Sequence, residues 1–365
     1  MQIRGKNFER HLLLTLLTTM IVMFSAALSI AQTSTLNRPY APVVLQGDRF
    51  SAFSNNVAPV GQLFLYRYSS ANSSWEQIPW QIDEVEPDPL DATRTTFFRT
   101  GDGLLDSLDQ LSFMAKDAGD KAPDNSWVDN VSTRGFPRYE IELNDPLPSG
   151  GRGYIYLYRS TTLTVSPSLA DYVTYVPPQG QAGNDVVRTI GYEEGHQDNG
   201  IHNSLLVPVN AGGSGTNFLD RLKLRFQIQI FGSNVPITEN AFMLLGINFR
   251  DGRVRVIREL RERISLGNNI DFPLLILYYG YSNVLGTGLN LTNLPVPVNL
   301  LRQSFDFAPN VTGASWYNQN LTTAVTVDGT ADNLSAGNLA IVNPPNLNWY
   351  MLSSAQGSFV NIFSL

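Results

Sequence analysis

From about residue 40 onward, apolar and polar residues alternate with period two between turn signals, the spacing of strands that bury one face. Gly61–Tyr68 (GQLFLYRY), Gly153–Arg159 (GYIYLYR) and Leu222–Phe231 (LKLRFQIQIF) follow it. In the last, Leu222, Leu224, Phe226, Ile228 and Ile230 fall on one side, with Lys223, Arg225, Gln227 and Gln229 on the other. Such a strand belongs in an antiparallel sheet with one wet face. Further strands are expected at Arg138–Leu143, Ala241–Asn248, Leu274–Tyr281, Ala324–Asp328, Leu339–Val342, Trp349–Ser353 and Phe359–Phe363. Arg253–Ile264 (RVRVIRELRERI) fits two periods: Ile257, Leu260 and Ile264 keep a helical spacing, whereas Arg253 to Val256 alternate, and strand is preferred.

No pattern supports a helix longer than two or three turns, and neither a fixed-period repeat nor a βαβ succession occurs. The expectation is an all-β protein, a large antiparallel β-sandwich with few short helices. An outer-membrane β-barrel is the alternative, because its strands also alternate and the chain ends in the apolar run Phe359–Leu365. Irregular strand spacing and a long acidic insertion favour the sandwich.

Residues 1–31 have the pattern of a secretory signal peptide. Arg4, Lys6 and Arg10 form a basic start, Leu12–Leu28 an apolar stretch and Ser29-Ile30-Ala31 a small-x-small cleavage site. Residues 32–365 are then read as one β-sandwich domain with an acidic loop insertion at 83–129. The chain has no cysteine. That excludes thiolate metal sites, disulfides and a cysteine nucleophile, and, joined to export, it points to a bacterial periplasm, cell surface or exterior. No later stretch has the ~18 apolar residues of a spanning helix.

Charge changes the picture only when it is mapped. The whole chain carries 25 Lys and Arg against 32 Asp and Glu, a net −7, which argues against a nucleic-acid partner. Between Asp83 and Asp129, twelve carboxylates face four basic residues. Such a concentration of oxygens suits a hard cation, so calcium is the expected cofactor, with Asp83, Asp102, Asp106 and Asp109 as metal candidates. Gly101-Asp102-Gly103-Leu104-Leu105-Asp106-Ser107-Leu108-Asp109 resembles the tail of calcium loops in dockerins and thrombospondin-type repeats, although Phe98 and Thr100 stand where that pattern has acids. A turn in which the same aspartates cap backbone N–H groups is the blander alternative.

The wider string, Ile78-Pro-Trp-Gln-Ile-Asp-Glu84 followed by the 101–119 segment ending Phe-Met-Ala-Lys-Asp-Ala-Gly119, resembles a motif of secreted bacterial proteins of unknown function. The resemblance covers about forty residues. It implies a galactose-mutarotase-like supersandwich and a carbohydrate context, and it transfers no catalytic residue.

Beyond residue 31 the only histidines are His196 and His202, six residues apart in a segment with Tyr192, Glu193, Glu194 and Asp198. Imidazole titrates near neutrality and a carboxylate can orient it, so His196, His202, Tyr192 and Glu193 are the catalytic candidates. The alternative is a polar loop without chemistry. Trp80 and Trp127 bracket the acidic segment and are the candidate ligand-stacking pair. Arg253, Arg255, Arg258, Arg261 and Arg263 suggest a basic stripe for an acidic polymer, or cross-strand partners for carboxylates. Together these features suggest an exported protein that binds or processes a polysaccharide or cell-surface glycan; the rival is a non-catalytic adhesion or assembly module.

Overall fold

A computed structural model of the chain describes residues 32–363 apart from 56, 89–90, 149, 181–182, 231, 267, 288–297, 331, 333 and 342–347. The expected signal segment, 1–31, lies outside them. The protein is all-β, a layered arrangement of open antiparallel sheets, and among the described residues the one α-helix is the single turn Ser51–Ser54. Among the described residues no sheet closes on itself into a barrel, and no helix is long and apolar enough to cross a membrane.

Two sheets build the N-terminal layers. Leu63–Ser69 pairs with Arg152–Arg159, flanked by Ser74–Gln77 and Tyr139–Asn144. Strict alternation gives this sheet two different faces. Leu63, Leu65, Ile155 and Leu157 pack with Phe50, Phe53, Leu111 and Phe113 in an aliphatic and phenylalanine core. Much of that core comes from the second sheet, in which Gln110–Met114 runs between Pro42–Gln46 and Gln81–Asp83. Phe64, Tyr66, Tyr68, Tyr154, Tyr156 and Tyr158 point the other way, into an aromatic cluster with Ala122 and Val128.

The motif-bearing segment is therefore no bare loop. It contributes the central strand Gln110–Met114 and the hairpin Glu86–Asp88/Asp91–Thr96. Gly119 explains the end of the motif: its N–H donates to the Tyr154 carbonyl at 2.9 Å, and a Cβ there would fall on the Tyr68 backbone.

Two four-stranded meanders follow. One is Val173–Val176, Val186–Thr189, Glu193–His196 and His202–Leu206. The other is Met243–Asp251, Arg255–Leu266, Asn268–Tyr279 and Ser282–Thr287. The ambiguous arginine-rich segment is thus a strand, Arg255–Leu266, twelve residues long, paired along its whole length with Asn268–Tyr279 and over Val256–Arg263 with Met243–Asp251. Tertiary pairing decides between the two periods it carries. Pro273 sits in its neighbour strand one position before the Ser282–Thr287 pairing begins, so its missing N–H leaves no gap in that ladder.

Parity along Arg255–Leu266 sets the layers. Val256, with Ile276 and Tyr278 beside it, packs on Val187, Tyr192 and Leu205 of the first meander. Ile257, with Leu275 and Leu277, packs on Val85 and Phe97 of the acidic segment. One sheet is consequently sandwiched between the segment with the motif and the hairpin with the histidines.

Leu219–Ile230 runs between Ser233–Thr238 and Val298–Phe307, and Arg225 and Gln229 are exposed as its alternation requires. The C-terminal sheet joins Ser315–Asn318, Asn348–Ser353 and Ser358–Phe363, with the short Val325–Thr326 at one edge. The strand expected at Leu339–Val342 is not formed in its described part, 339–341. Ser335 N–H donates to the Asn338 side chain at 3.0 Å and Leu339 N–H to the Ala336 carbonyl, so turn chemistry overrides a short apolar run.

Candidate functional site

The histidines lie on strands, not on an open loop. Glu193–His196 and His202–Leu206 form a hairpin in which His196 and His202 are cross-strand partners at a register shift. Period two sends Glu194 and His196 inward against the arginine-bearing sheet. Glu193 points outward and pairs with its cross-strand neighbour Arg188 at 2.7 Å. The inward carboxylate is Glu194.

The resulting cluster is largely buried, and most of its polar atoms are bonded to one another. His196 is 1% exposed at its side chain, with Nδ1 3.0 Å from Asp185 Oδ1 and Nε2 3.0 Å from the Tyr278 hydroxyl and 3.3 Å from Glu194 Oε1. Tyr278 donates to Glu194 Oε1 at 2.9 Å and Asn283 donates to Oε2 at 2.7 Å. His202 Nε2 is 3.7 Å from Glu194 Oε2 and 2.9 Å from the Ser204 carbonyl. Arg258 closes the other end: it donates to both oxygens of Asp185, at 2.8 and 2.7 Å, and to the Gly200 carbonyl at 3.2 Å. Gly200 has φ +75° and its Cβ position is occupied by Leu260, so this tight approach needs glycine.

Electrostatics follow from burial and pairing. Burial pushes the Asp185 carboxyl up, but His196 and Arg258 outweigh it and hold the group well below the ordinary range. Burial likewise raises Glu194, while His202, His196 and Tyr278 bring it down to about 2. His202 is lowered chiefly by burial, against the pull of Glu194. Glu262, four residues beyond Arg258 on the same face, is pushed up to about 7 by burial, with Arg258 acting the other way. It is fully buried and neither carboxylate oxygen has a hydrogen-bond partner. Tyr192 does not join the cluster: its hydroxyl donates to the Ser282 carbonyl at 2.9 Å, and burial raises it well above its ordinary value.

On the opposite face of the same strand, Arg255 meets the motif. Its Nε and Nη2 reach Asp83 Oδ2 at 2.8 and 2.7 Å, and further bonds go to Gln110 and the Tyr279 hydroxyl. Gln81 accepts from the Val254 and Arg255 N–H groups and donates to Asp83 at 2.7 Å. The Gln-x-Asp spacing places both side chains on the face that docks this strand, while Ile82 turns into the core.

The other metal candidates are engaged with backbone. Asp109, buried and raised to about 6 by that burial, accepts from Val85 and Asp106 N–H at 2.9 Å each. Asp106 accepts from Leu108 and Asp109 N–H, and Asp102 from Leu104 N–H. Among the described residues, no three His, Asp or Glu side chains are placed to hold a metal ion. The five arginines do not form one stripe. Arg255 and Arg258 are buried on opposite faces, Arg263 pairs with Asp271, Arg253 donates to the Leu169 carbonyl, and Arg261 is exposed.

Trp80 and Trp127 pack on different rings of one aromatic cluster, Trp80 on Phe64 and Trp127 on Tyr158. Both are half-buried against the aromatic cluster, joined there by Trp75. Trp127 packs edge-on to Tyr158, donates to the Thr133 hydroxyl at 2.8 Å and carries the Arg138 guanidinium 5.0 Å from its ring centre. Trp75 lies edge-on to Tyr156 and Tyr158, and Trp80 to Phe64.

Fold and site define the chain as an all-β protein of open antiparallel sheets with a sealed ionic cluster and a tryptophan-rimmed aromatic face. No family model matches it and no curated protein matches it.

Proposed function

We propose that the chain is an exported bacterial protein, of the periplasm, cell surface or exterior, that binds carbohydrate without processing it. The observation carrying the reading is the trio Trp75, Trp80 and Trp127, each partly open to solvent around one aromatic sheet face. Indole rings offer flat apolar area for the C–H faces of sugars; the N–H groups of Trp75 and Trp127 are already donated to Ser126 and Thr133 and hold those rings in place. The basic and apolar start of the sequence and the absence of cysteine support export.

The non-catalytic part rests on the histidines. A general acid or base must reach its substrate, and His196 has partners on both ring nitrogens inside a closed cluster. The secreted-protein motif is likewise spent on docking Arg255. A second reading, acid–base catalysis by the Asp185–His196 pair, is favoured by their 3.0 Å contact alone.

Retention of residues 32–365 on insoluble polysaccharides, with calorimetry on soluble fragments and an assay for released sugar, tests the proposal. Binding without release is expected, and Trp80→Phe and Trp127→Phe, which keep the buried edge, should each weaken it several-fold. Failure to bind any glycan overturns the proposal; turnover abolished by His196→Gln replaces it with the second reading.

A further inference from the structure

A second exposed aromatic group is built from tyrosines rather than tryptophans. Tyr40 is 64% exposed and rests edge-on against Tyr281, ring centres 4.7 Å apart. Lys116, in the Phe-Met-Ala-Lys-Asp motif, is exposed, with its ammonium 4.1 Å from the centre of the Tyr172 ring and 5.8 Å from that of Tyr281. Its charge acts on the neighbouring Asp117 and helps to hold that carboxyl down against the effect of burial. Asp117 is turned inward, where both oxygens accept from the Tyr172 hydroxyl at 2.8 and 3.0 Å.

Each part of this group is held by backbone. Ala115 N–H donates to the Ala41 carbonyl, which ties the turn bearing Tyr40 to the segment bearing Lys116. The Thr189 hydroxyl donates to the Gly280 carbonyl at 2.9 Å and fixes the turn that presents Tyr281. Tyr281 lies against Gly191 so closely that a Cβ there would strike its ring. The rings and the cation are therefore placed before any ligand arrives, which lowers the ordering cost of binding.

We propose that Lys116, Tyr40 and Tyr281 form a subsite for an acidic sugar, a uronate residue of a polysaccharide. The tyrosine rings take the apolar face of the pyranose, and the ammonium, which the rings partly desolvate but do not neutralise, pairs with its carboxylate. A neutral sugar would leave the cation without its charge partner. The proposal rests on the carbohydrate-binding reading and deepens it by naming the sugar class.

The test compares polygalacturonate fragments with neutral glucan and xylan fragments by calorimetry on residues 32–365. Wild type should bind the uronate polymer. Lys116→Ala should weaken that binding on the order of fivefold, and raised salt should erase the difference. Tyr40→Ala should weaken it too, while both variants leave neutral-glycan binding unchanged. Both positions are exposed, and an unchanged melting temperature certifies the fold.

Uronate binding insensitive to both variants overturns the subsite. Binding of neutral glycans alone also overturns it and leaves the tryptophan face standing. Binding of no glycan at all removes both proposals.

Discussion

Arg255 and Arg258 are three residues apart on one strand, both fully buried, both donating to an aspartate, and they do different things. Arg255 faces a neighbourhood of neutral partners, Gln81, Gln110 and Tyr279, with one acid, Asp83. Charge balances one to one. Arg258 faces Asp185, and beyond it lie Glu194 and the unpartnered Glu262, with two histidines as the remaining bases. A buried pair that is balanced is a joint. A buried group with more acids than fixed cations is a titrating object, whose stability depends on where its protons sit.

The largest test removes each arginine. Arg258→Met leaves Asp185 and Glu262 buried without a fixed cation and is expected to cost about 3–5 kcal/mol in urea denaturation. Arg255→Met should cost less, because it leaves one buried acid, Asp83, with the Gln81 amide as donor, whereas Arg258→Met leaves two, one of them the unpartnered Glu262. A larger loss at Arg255 would reverse the comparison.

The middle effect is at Glu262. Its folded value, about 7, lies above the ordinary 4.5. Below pH 4.5 both folded and unfolded chains hold the proton. Between 4.5 and 7 only the folded chain does, so this group's contribution falls as pH rises through that window and is flat above it. Glu262→Met should therefore stabilise the protein at pH 8 by on the order of 1–3 kcal/mol and make no comparable difference at pH 4. His202 has the opposite sign. Its lowered value makes protonation costlier in the folded state, so its contribution is full above about pH 6.5 and shrinks below. His202→Gln should reduce the acid-side loss, read as a smaller drop in melting temperature between pH 7 and pH 5. An unchanged drop would show that His202 makes no contribution to the acid-side loss.

The smallest effect sharpens the Asp83 side. Because Asp102, Asp106 and Asp109 accept backbone N–H groups, a chelator should leave the melting temperature unchanged, and added calcium should do the same. A shift of several degrees with either would restore the calcium expectation, since a ligand of the folded state must raise its stability.

The sequence made the architecture legible wherever alternation was long and bounded by turns, as in Leu222–Phe231 and Gly153–Arg159. It misled at Leu339, where Ser335 and Asn338 side chains compete for the backbone. The paired histidines were visible as a cluster, but their partners were not. Asp185 is eleven residues from His196 and Arg258 sixty-two, and only pairing brings them together. One signal was present: Val256, Arg258, Leu260, Glu262 and Ile264 alternate apolar with charged on a single face, a pattern that a half-wet strand does not need. Parity likewise chose Glu194 over Glu193, and it could be applied only once the segment was known to be a strand.

The separation between Asp83 and Arg255 has a further consequence, for the order of events as the chain is made. The two are 172 residues apart. As the chain emerges from its N-terminus, the Gln-x-Asp strand and the sheet around it have no cation to meet until well over half of the protein has been synthesised, so the first layers must wait or form around an uncompensated acid. The proposed export reading fits that delay: a chain that has to cross a membrane unfolded gains if its core cannot lock before its middle strand arrives.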